Sequence, residues 1–215
     1  YLYMNVGIIG SGGRENSICF ALSKSKKVDK IFCMPGNAGT ADISINLEIN
    51  INNFQEIKNA VKKNKIDLLV IGPEKPLVDG IVDFFNGTDL MVFGPNKAAS
   101  QLEGSKIFTK NLCKKYNIPT AKFGTFQSLD EAKNFISNSN FPIVIKADGL
   151  AAGKGVYISE NKEEAFKAIK EIFDGKFGET KNVLIEEFLE GEEMSYFIIS
   201  DGKTIKAFET AQDHK

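Results

Sequence analysis

The sequence predicts an α/β fold: a parallel sheet covered by helices in the first half, and an α+β module rich in antiparallel strands in the second. Two observations support this prediction. Up to about residue 100, short apolar strands alternate with helical segments, and each strand ends in a Gly- or Pro-rich loop. After that point a β-loop-β unit and a hairpin replace the alternation. The 215 residues are therefore divided into domains 4–103 and 104–215.

The first domain is predicted to hold four strands and three helices. Ligands of such parallel sheets bind beyond the carboxyl ends of the strands, so the four following loops are expected to converge on one ligand. The predicted strands are 6–9, 31–34, 66–71 and 91–93, and the predicted helices are 16–22, 54–63 and 79–85.

The second domain begins with a long helical segment, 97–116, in which apolar residues recur at helical spacing. Further predicted helices are 129–136 and 161–173. The predicted strands flank the loop within 143–156, cover 183–188, and form a hairpin of 195–200 with 204–210 that turns at an Asp-Gly pair.

Composition excludes several classes of function. A net charge of −1 argues against a broad nucleic-acid surface, and the longest apolar runs are too short to span a membrane. The chain shows no signal-peptide pattern, and its three cysteines are scattered without metal-binding spacing. A cytoplasmic protein with reduced thiols is expected.

The most informative segment is 143–156, a buried strand that ends at Lys146 and is followed by a loop of small residues. Gly149, Gly153 and Gly155 would allow the backbone to approach phosphate oxygens, and Lys154 adds positive charge. The glycine spacing does not match a Walker P-loop. Taken alone, the segment fits either a flap over a polyphosphate or a glycine-rich hairpin turn.

The loop after the first strand resembles a dinucleotide fingerprint only in part. Gly10 and Gly12 are in place, but Glu15 occupies the position of the third glycine, and the second strand ends without an acidic residue. A phosphate or small carboxylate at the helix N-terminus fits better, with Arg14, the only arginine, as its clamp. An ordinary tight turn between strand and helix stays possible.

An acidic segment follows the apolar strand 183–185. Glu186 and Glu187 end this strand and could place the backbone along an adenine edge, while Glu193 could accept hydrogen bonds from ribose hydroxyls. A solvated acidic turn is the alternative.

These segments together resemble the N-terminal half of the glycinamide ribonucleotide synthetase (phosphoribosylamine–glycine ligase) family, whose members are ATP-grasp enzymes of purine biosynthesis. The matching segments run in family order along the chain: GSGGREN (10–16), PGNAGTA (35–41), DLLVIGPEKPLVDGIVD (67–83), FGPNKAASQLEGSKIFTK (93–110), NIPTA (117–121), PIVIKADGLAAGKGV (142–156), VLIEEFLEGEEMS (183–195) and AQDHK (211–215).

The resemblance implies a role for each matched position. Lys106 and Lys146 would bind ATP phosphates under a lid loop that includes Gly149, Gly153, Lys154 and Gly155, in a lid subdomain of about 120–193. The implied adenine hinge and ribose acid are Glu186, Glu187, Phe188, Leu189 and Glu193. The implied loops facing phosphoribosylamine hold Gly10, Gly12, Gly13, Arg14, Gly36, Asn37, Ala38, Gly39, Thr40, Gly72, Pro73 and Glu74. Lys146 with Asp213, His214 and Lys215 would be catalytic.

The implied reaction joins glycine to 5-phosphoribosylamine through glycyl phosphate, at the expense of ATP, in a monomeric protein without nucleic-acid or membrane partners. The family also implies Mg²⁺ or Mn²⁺, with ligands beyond residue 215 in the rest of the ATP-grasp domain, so the 215-residue chain alone is expected to be inactive. The alternatives are another purine-pathway ATP-grasp ligase and a non-catalytic nucleotide-binding module. Asn16 departs from the family, which usually has His there.

Overall fold

A computed structural model describes residues 3–150, 155–178 and 182–212. Gly153, Lys154, Asp213, His214 and Lys215 of the predicted site lie outside these ranges. The strands are β1 (Met4–Gly10), β2 (Val28–Pro35), β3 (Ile45–Asn46), β4 (Leu68–Ile71), β5 (Met91–Phe93), β6 (Phe123–Phe126), β7 (Ile143–Ala147), β8 (Val156–Ser159), β9 (Val183–Glu187), β10 (Ile198–Ser200) and β11 (Ile205–Ala207). The helices are α1 (Gly13–Ser23), α2 (Ala38–Ala41), α3 (Phe54–Asn64), α4 (Glu74–Asp79), α5 (Ile81–Phe84), α6 (Lys97–Gly104), α7 (Lys106–Tyr116), α8 (Leu129–Ser137) and α9 (Lys162–Phe173).

The first domain contains the predicted parallel sheet. Its strand order is β3-β2-β1-β4-β5, with β1 paired to both β2 and β4 in parallel register. The two-residue strand β3 adds an edge that the sequence pattern did not predict, since it is too short to show a periodicity. The carboxyl ends of β1, β2 and β4 are adjacent, which brings the loops that follow them to one edge.

Both faces of this sheet are buried, as parallel sheets require. Val6 and Ile8 of β1 belong to a cluster on one face, completed by Cys19 of α1. Ile9 points to the opposite face, where Ile57 of α3 is fully buried in a second cluster. The alternation along β1 follows from the two-residue period of a strand.

The second domain is built around an antiparallel sheet of order β6-β9-β7-β8. Helices α8 and α9 cover one face with a core that includes Ile136, Ile169 and Ile185. The antiparallel pair β7–β8 confirms the predicted β-loop-β unit. Strand β6 was not predicted, because Gly124 interrupts a segment of only four residues.

Three predicted helices differ from the structure by more than one residue. The single helix expected over 97–116 is two helices, because Ser105 adopts an extended backbone conformation (φ −142°, ψ 115°) and caps α7. The helix predicted over 79–85 begins at Glu74 and is interrupted at Gly80, whose φ is +98°. The first helix begins at Gly13, three residues before its predicted start.

The β10–β11 hairpin is present as predicted and forms its own two-stranded sheet with an exposed surface. Among the described residues, the structure contains no helix that is long and apolar enough to cross a membrane.

Candidate functional site

Three of the predicted substrate loops meet at the carboxyl edge of the parallel sheet. The Gly36 amide donates to the Gly10 carbonyl at 3.1 Å, as β2 leaves the sheet beside β1. Asn37 caps α2 by accepting from Thr40, and its Nδ2 donates to the Ser11 carbonyl at 2.8 Å. The loops after β1 and β2 therefore hold each other in place.

Arg14 joins the loop after β1 to the loop after β4. Its Nη1 donates to the Gly72 carbonyl at 2.7 Å and lies 3.1 Å from Oε1 of Glu74. The pKa of Glu74 is lowered, first by a hydrogen bond from its own backbone amide and then by Arg14. The Arg14 side chain is 61% exposed, so it remains accessible while it joins the two loops.

Glu15 has a structural position that the sequence did not indicate. Its carboxylate is buried and accepts a 2.6 Å hydrogen bond from the Gly12 amide at the start of α1. A Cβ atom at Gly72 would lie 2.0 Å from Oε1 of Glu15, and one at Gly10 would lie 2.6 Å from its Cδ. Both glycines are thus needed for the close approach of the carboxylate.

Asn16 lies next to the loop after β2. A Cβ atom at Gly39 would be 3.2 Å from Oδ1 of Asn16, so the two residues are in contact. This Oδ1 atom is buried and accepts no hydrogen bond within the described part of the protein. The Asn16 side chain therefore places an unsatisfied acceptor beside the loop after β2.

A cavity with a volume of about 740 Å³ lies between the two domains. Pro73 and Glu74 contribute from the first domain, and Lys106, Lys146 and Glu186 contribute from the second. Gly149 and Gly155 line it at the two ends of the predicted lid loop. We call this cavity the interdomain cleft.

Both predicted phosphate-binding lysines have partners within the protein. Nζ of Lys106 donates to the Gly149 carbonyl at 2.8 Å, which ties α7 to the loop after β7. Nζ of Lys146 is 2.7 Å from Oε2 of Glu186 on the neighbouring strand β9. Each ammonium has three N–H donors, so an anion can bind either beside these contacts or in their place.

Lys110 is a third lysine of the cleft, which the sequence motifs did not indicate. It lies one helical turn after Lys106, and its Nζ is 3.0 Å from Oε1 of Glu186. Its hydrogen bonds go to Oγ1 of Thr120 at 2.6 Å and to the Ala121 carbonyl at 3.4 Å. The four-residue spacing from Lys106 was the available signal, since it puts both lysines on one face of a helix.

Asp148 connects the lid region to the start of α7. Both of its carboxylate oxygens accept from Oγ of Ser105 at 3.1 Å, and Oδ1 accepts from the Ile107 amide at 3.2 Å. A carboxylate at a helix N-terminus is favoured by the unpaired amides there. Asp148 therefore holds the N-terminus of α7, which carries Lys106, against the segment that carries Gly149.

The predicted hinge residues lie on different sides of the antiparallel sheet. The Glu186 carboxylate pairs with Lys146 at the cleft, whereas Glu187 lines only a separate groove of about 950 Å³ beside α8, to which Glu186 also contributes. Oε1 of Glu187 accepts from the Lys122 amide at 2.8 Å, so this side chain fixes the end of β6. Phe188, Leu189 and Glu193 follow the end of β9. The Leu189 residue is 63% exposed.

A metal site is not evident within residues 3–150, 155–178 and 182–212. In these ranges no group of three or more His, Cys, Asp or Glu side chains is close enough to hold an ion. Of the described carboxylates near the cleft, Glu186 lies between two lysines, and Asp148 accepts from the Ile107 amide at a helix end.

Two family models match the chain in succession. Residues 4–103 match the phosphoribosylglycinamide synthetase N domain, and residues 104–215 match the ATP-grasp (A) domain of the same synthetase. The chain belongs to the phosphoribosylglycinamide synthetase family. The resemblance drawn from the sequence motifs is confirmed.

Individual relatives agree with this assignment. A phosphoribosylamine–glycine ligase of Agrobacterium fabrum is 46% identical over 213 residues, which cover 99% of this chain and 50% of the relative. The crystal structure of the ligase from Thermotoga maritima is 34% identical with a TM-score of 0.79, over 96% of this chain and 49% of that one. The chain thus spans about half the length of its synthetase relatives.

A more distant structure supports the fold. A carboxyaminoimidazole ribonucleotide synthase from Aspergillus clavatus, complexed with ATP, has a TM-score of 0.77 at 13% identity. The match covers 99% of this chain and 55% of that one. The fold of this chain is therefore shared with a protein outside the family.

Proposed function

We propose that the full-length protein ligates glycine to 5-phosphoribosylamine at the expense of ATP, which is converted to ADP and phosphate, and that this chain supplies the sugar-phosphate loops and one side of the nucleotide site. Membership of the synthetase family supports the reaction. The observation that carries the assignment within the chain is the interdomain cleft, which Lys106 and Lys146 line together with Gly149 and Gly155.

The proposed chemistry has two steps. The glycine carboxylate attacks the γ-phosphorus of ATP, which forms glycyl phosphate and releases ADP. The amine of phosphoribosylamine then attacks the activated carbonyl carbon, and phosphate leaves as the amide bond forms. Both steps demand close positioning and neutralisation of phosphate charge.

Lys106 and Lys146 are the residues proposed to neutralise this charge. Lys106 now donates to a neutral carbonyl and Lys146 to a carboxylate, and a triphosphate offers several charged acceptor oxygens to both. If a phosphate oxygen replaced the Gly149 carbonyl as the acceptor for Lys106, the start of the lid segment would also be released. Exclusion of water by a closed lid would protect glycyl phosphate from hydrolysis.

The adenine is proposed to lie against the cleft-facing side of β9. The Glu186 side chain is 5% exposed, and its two oxygens lie within 3.0 Å of Lys110 and Lys146. The backbone of Glu187 to Leu189 is therefore proposed to supply the hydrogen bonds to the adenine edge. Glu193 is proposed to bind the ribose.

Phosphoribosylamine is proposed to bind at the carboxyl edge of the parallel sheet. The loops that hold Gly10 to Arg14, Gly36 to Thr40 and Gly72 to Glu74 are joined there by hydrogen bonds. The exposed guanidinium of Arg14 suits the 5-phosphate, since it can donate to two oxygens at once. Asp213, His214 and Lys215 stay proposed catalytic residues outside the described ranges.

Magnesium is proposed on family grounds alone, because the described side chains provide no ligand cluster. Its ligands are proposed to come from outside this chain. The domain division at residues 103 and 104, with a lid subdomain of about 120–193, is likewise proposed, and it agrees with the ranges matched by the two family models.

A coupled assay of ADP release tests the reaction in the full-length protein. ADP should form only when glycine and phosphoribosylamine are both present, and glycinamide ribonucleotide should accumulate in equal amount. Replacement of glycine by formate or bicarbonate is the control, since activity with either would indicate a different ATP-grasp ligase. Absence of glycine-dependent ADP release would refute the proposed function.

A further inference from the structure

Glu186 is shared by two lysines in the interdomain cleft. Its Oε2 is 2.7 Å from Nζ of Lys146, and its Oε1 is 3.0 Å from Nζ of Lys110. The Glu186 side chain is 5% exposed and that of Lys110 is 12% exposed, whereas Lys146 is 27% exposed. One carboxylate therefore lies between a buried cation and a more accessible one.

The two lysines differ in how firmly they are held. Lys110 also donates to Thr120 and Ala121, and its ammonium lies 5.5 Å from the centroid of the Phe123 ring. Among the described residues, the side chain of Lys146 donates to Glu186 alone. Lys146 is therefore the lysine that can turn toward a ligand with fewer contacts to replace.

If Lys146 turns toward a ligand, the Glu186 carboxylate loses one of its neighbouring cations. A buried carboxylate that loses its only cation pays a large desolvation penalty, and such a loss opposes ligand binding. A second cation that stays in place removes this penalty. Lys110 meets that requirement, because its other partners are backbone and side-chain groups of the same domain.

We propose that Lys110 is a positioning residue for nucleotide binding: it remains paired with Glu186 and thereby lets Lys146 transfer from Glu186 to a nucleotide phosphate. The proposal rests on the proposed function, since it takes the phosphate ligand from there. It assigns Lys110 no contact with the nucleotide. Its effect reaches the phosphates only through Glu186 and Lys146.

The test measures the affinity of the full-length protein for ADP and for adenosine by titration calorimetry. Lys110→Met should weaken ADP binding by about 10- to 100-fold, because Lys146 becomes the only cation near Glu186 and is retained there. Adenosine binding should change much less, since it does not draw Lys146 away. Lys114→Met, an exposed lysine of the same helix, is the matched control and should bind both ligands as the wild type does.

A double-mutant cycle separates positioning from direct contact. In the Glu186→Gln background no buried carboxylate needs a cation, so Lys110→Met should have almost no further effect on ADP affinity. An equal loss in both backgrounds would overturn the proposal, because it would show that Lys110 binds the nucleotide itself. Wild-type ADP affinity in Lys110→Met would also overturn it.

These outcomes are distinguishable from failure of the proposed function. If the wild-type protein binds no ADP, the nucleotide site itself is refuted and the inference with it. If the wild type binds ADP and the cycle shows no coupling between Lys110 and Glu186, only the inference is refuted. Lys110→Met should fold, because Glu186 keeps Lys146 as its partner, and the double variant leaves no unpaired buried charge.

Discussion

The carboxylate of Glu15 occupies the space that a side chain at Gly72 would need. A Cβ atom at Gly72 would lie 2.0 Å from Oε1 and 2.7 Å from Cδ of Glu15. The same carboxylate binds the Gly12 amide at the N-terminus of α1. The buried carboxylate of Glu15 therefore contacts both the N-terminus of α1 and the residue that follows β4.

Gly72→Ala should destabilise the protein by about 1–3 kcal/mol, because the new methyl group displaces the Glu15 carboxylate and its hydrogen bond to α1. Unfolding in urea, followed by circular dichroism, measures the change. Gly13→Ala is the matched control: no described heavy atom outside its own helix turn lies within 4 Å of the position that a Cβ would take there, so its stability should stay within about 0.5 kcal/mol of the wild type. Equal stability of the two variants would contradict the account.

Ser105→Ala should cost more stability than the loss of an ordinary helix cap. Ser105 accepts from the Phe108 amide and also donates to Asp148, which fastens α7 to the lid region. We expect a loss of about 2 kcal/mol from the cap and the charged hydrogen bond together. Urea unfolding of Ser128→Ala provides the comparison, since Ser128 caps α8 through the Glu131 amide and should cost about 1 kcal/mol. A smaller loss in Ser105→Ala than in Ser128→Ala would argue against the role of Asp148.

The cysteines should differ in reactivity. Burial raises the pKa of Cys33 to about 12 and also raises the pKa of Cys19, so neither forms much of the reactive thiolate at pH 8. Cys113 is half-buried and should be alkylated first by iodoacetamide in the native protein. Peptide mapping by mass spectrometry measures the order. Labelling of Cys33 as fast as Cys113 without denaturant would be inconsistent with the buried position of Cys33.

The raised pKa of Cys33 also makes the free energy of unfolding depend on pH in the alkaline range. Folding raises the pKa of Cys33 from 9.0 to about 12, so the fold favours the neutral thiol. The resulting stabilisation is complete below pH 9 and declines as the pH rises toward 12. A Cys33→Ala variant should therefore lose less stability than the wild type when urea unfolding is repeated at pH 8 and pH 11.

The fold was predictable where the local pattern is strong. Alternating apolar strands and helices indicated the parallel sheet, and the segment around Lys146 indicated the β-loop-β unit. The break at Ser105 was missed because its helical flanks have a continuous apolar periodicity, although Ser105 caps α7 and also contacts Asp148, 43 residues away. Local periodicity carries no information about such a contact.

The candidate site was predictable as a set of residues but not as a network. Motifs indicated Lys106, Lys146 and Glu186 from the type and order of residues. The pairing of Glu186 with Lys110 depends on how α7 packs against β9, so it became visible only in three dimensions. The opposite orientations of Glu186 and Glu187 follow from strand alternation, and they could have been inferred once β9 was placed in a sheet.

The affinity of the full-length protein for ATP after Lys146→Ala tests the central claim most directly, namely that the interdomain cleft holds the nucleotide phosphates. We predict a loss of about 10- to 100-fold from removal of one charged phosphate contact, with folding preserved because Lys110 still pairs with Glu186. Lys167→Ala, an exposed lysine of α9, should bind ATP as the wild type does. Unchanged ATP affinity in Lys146→Ala would contradict the account.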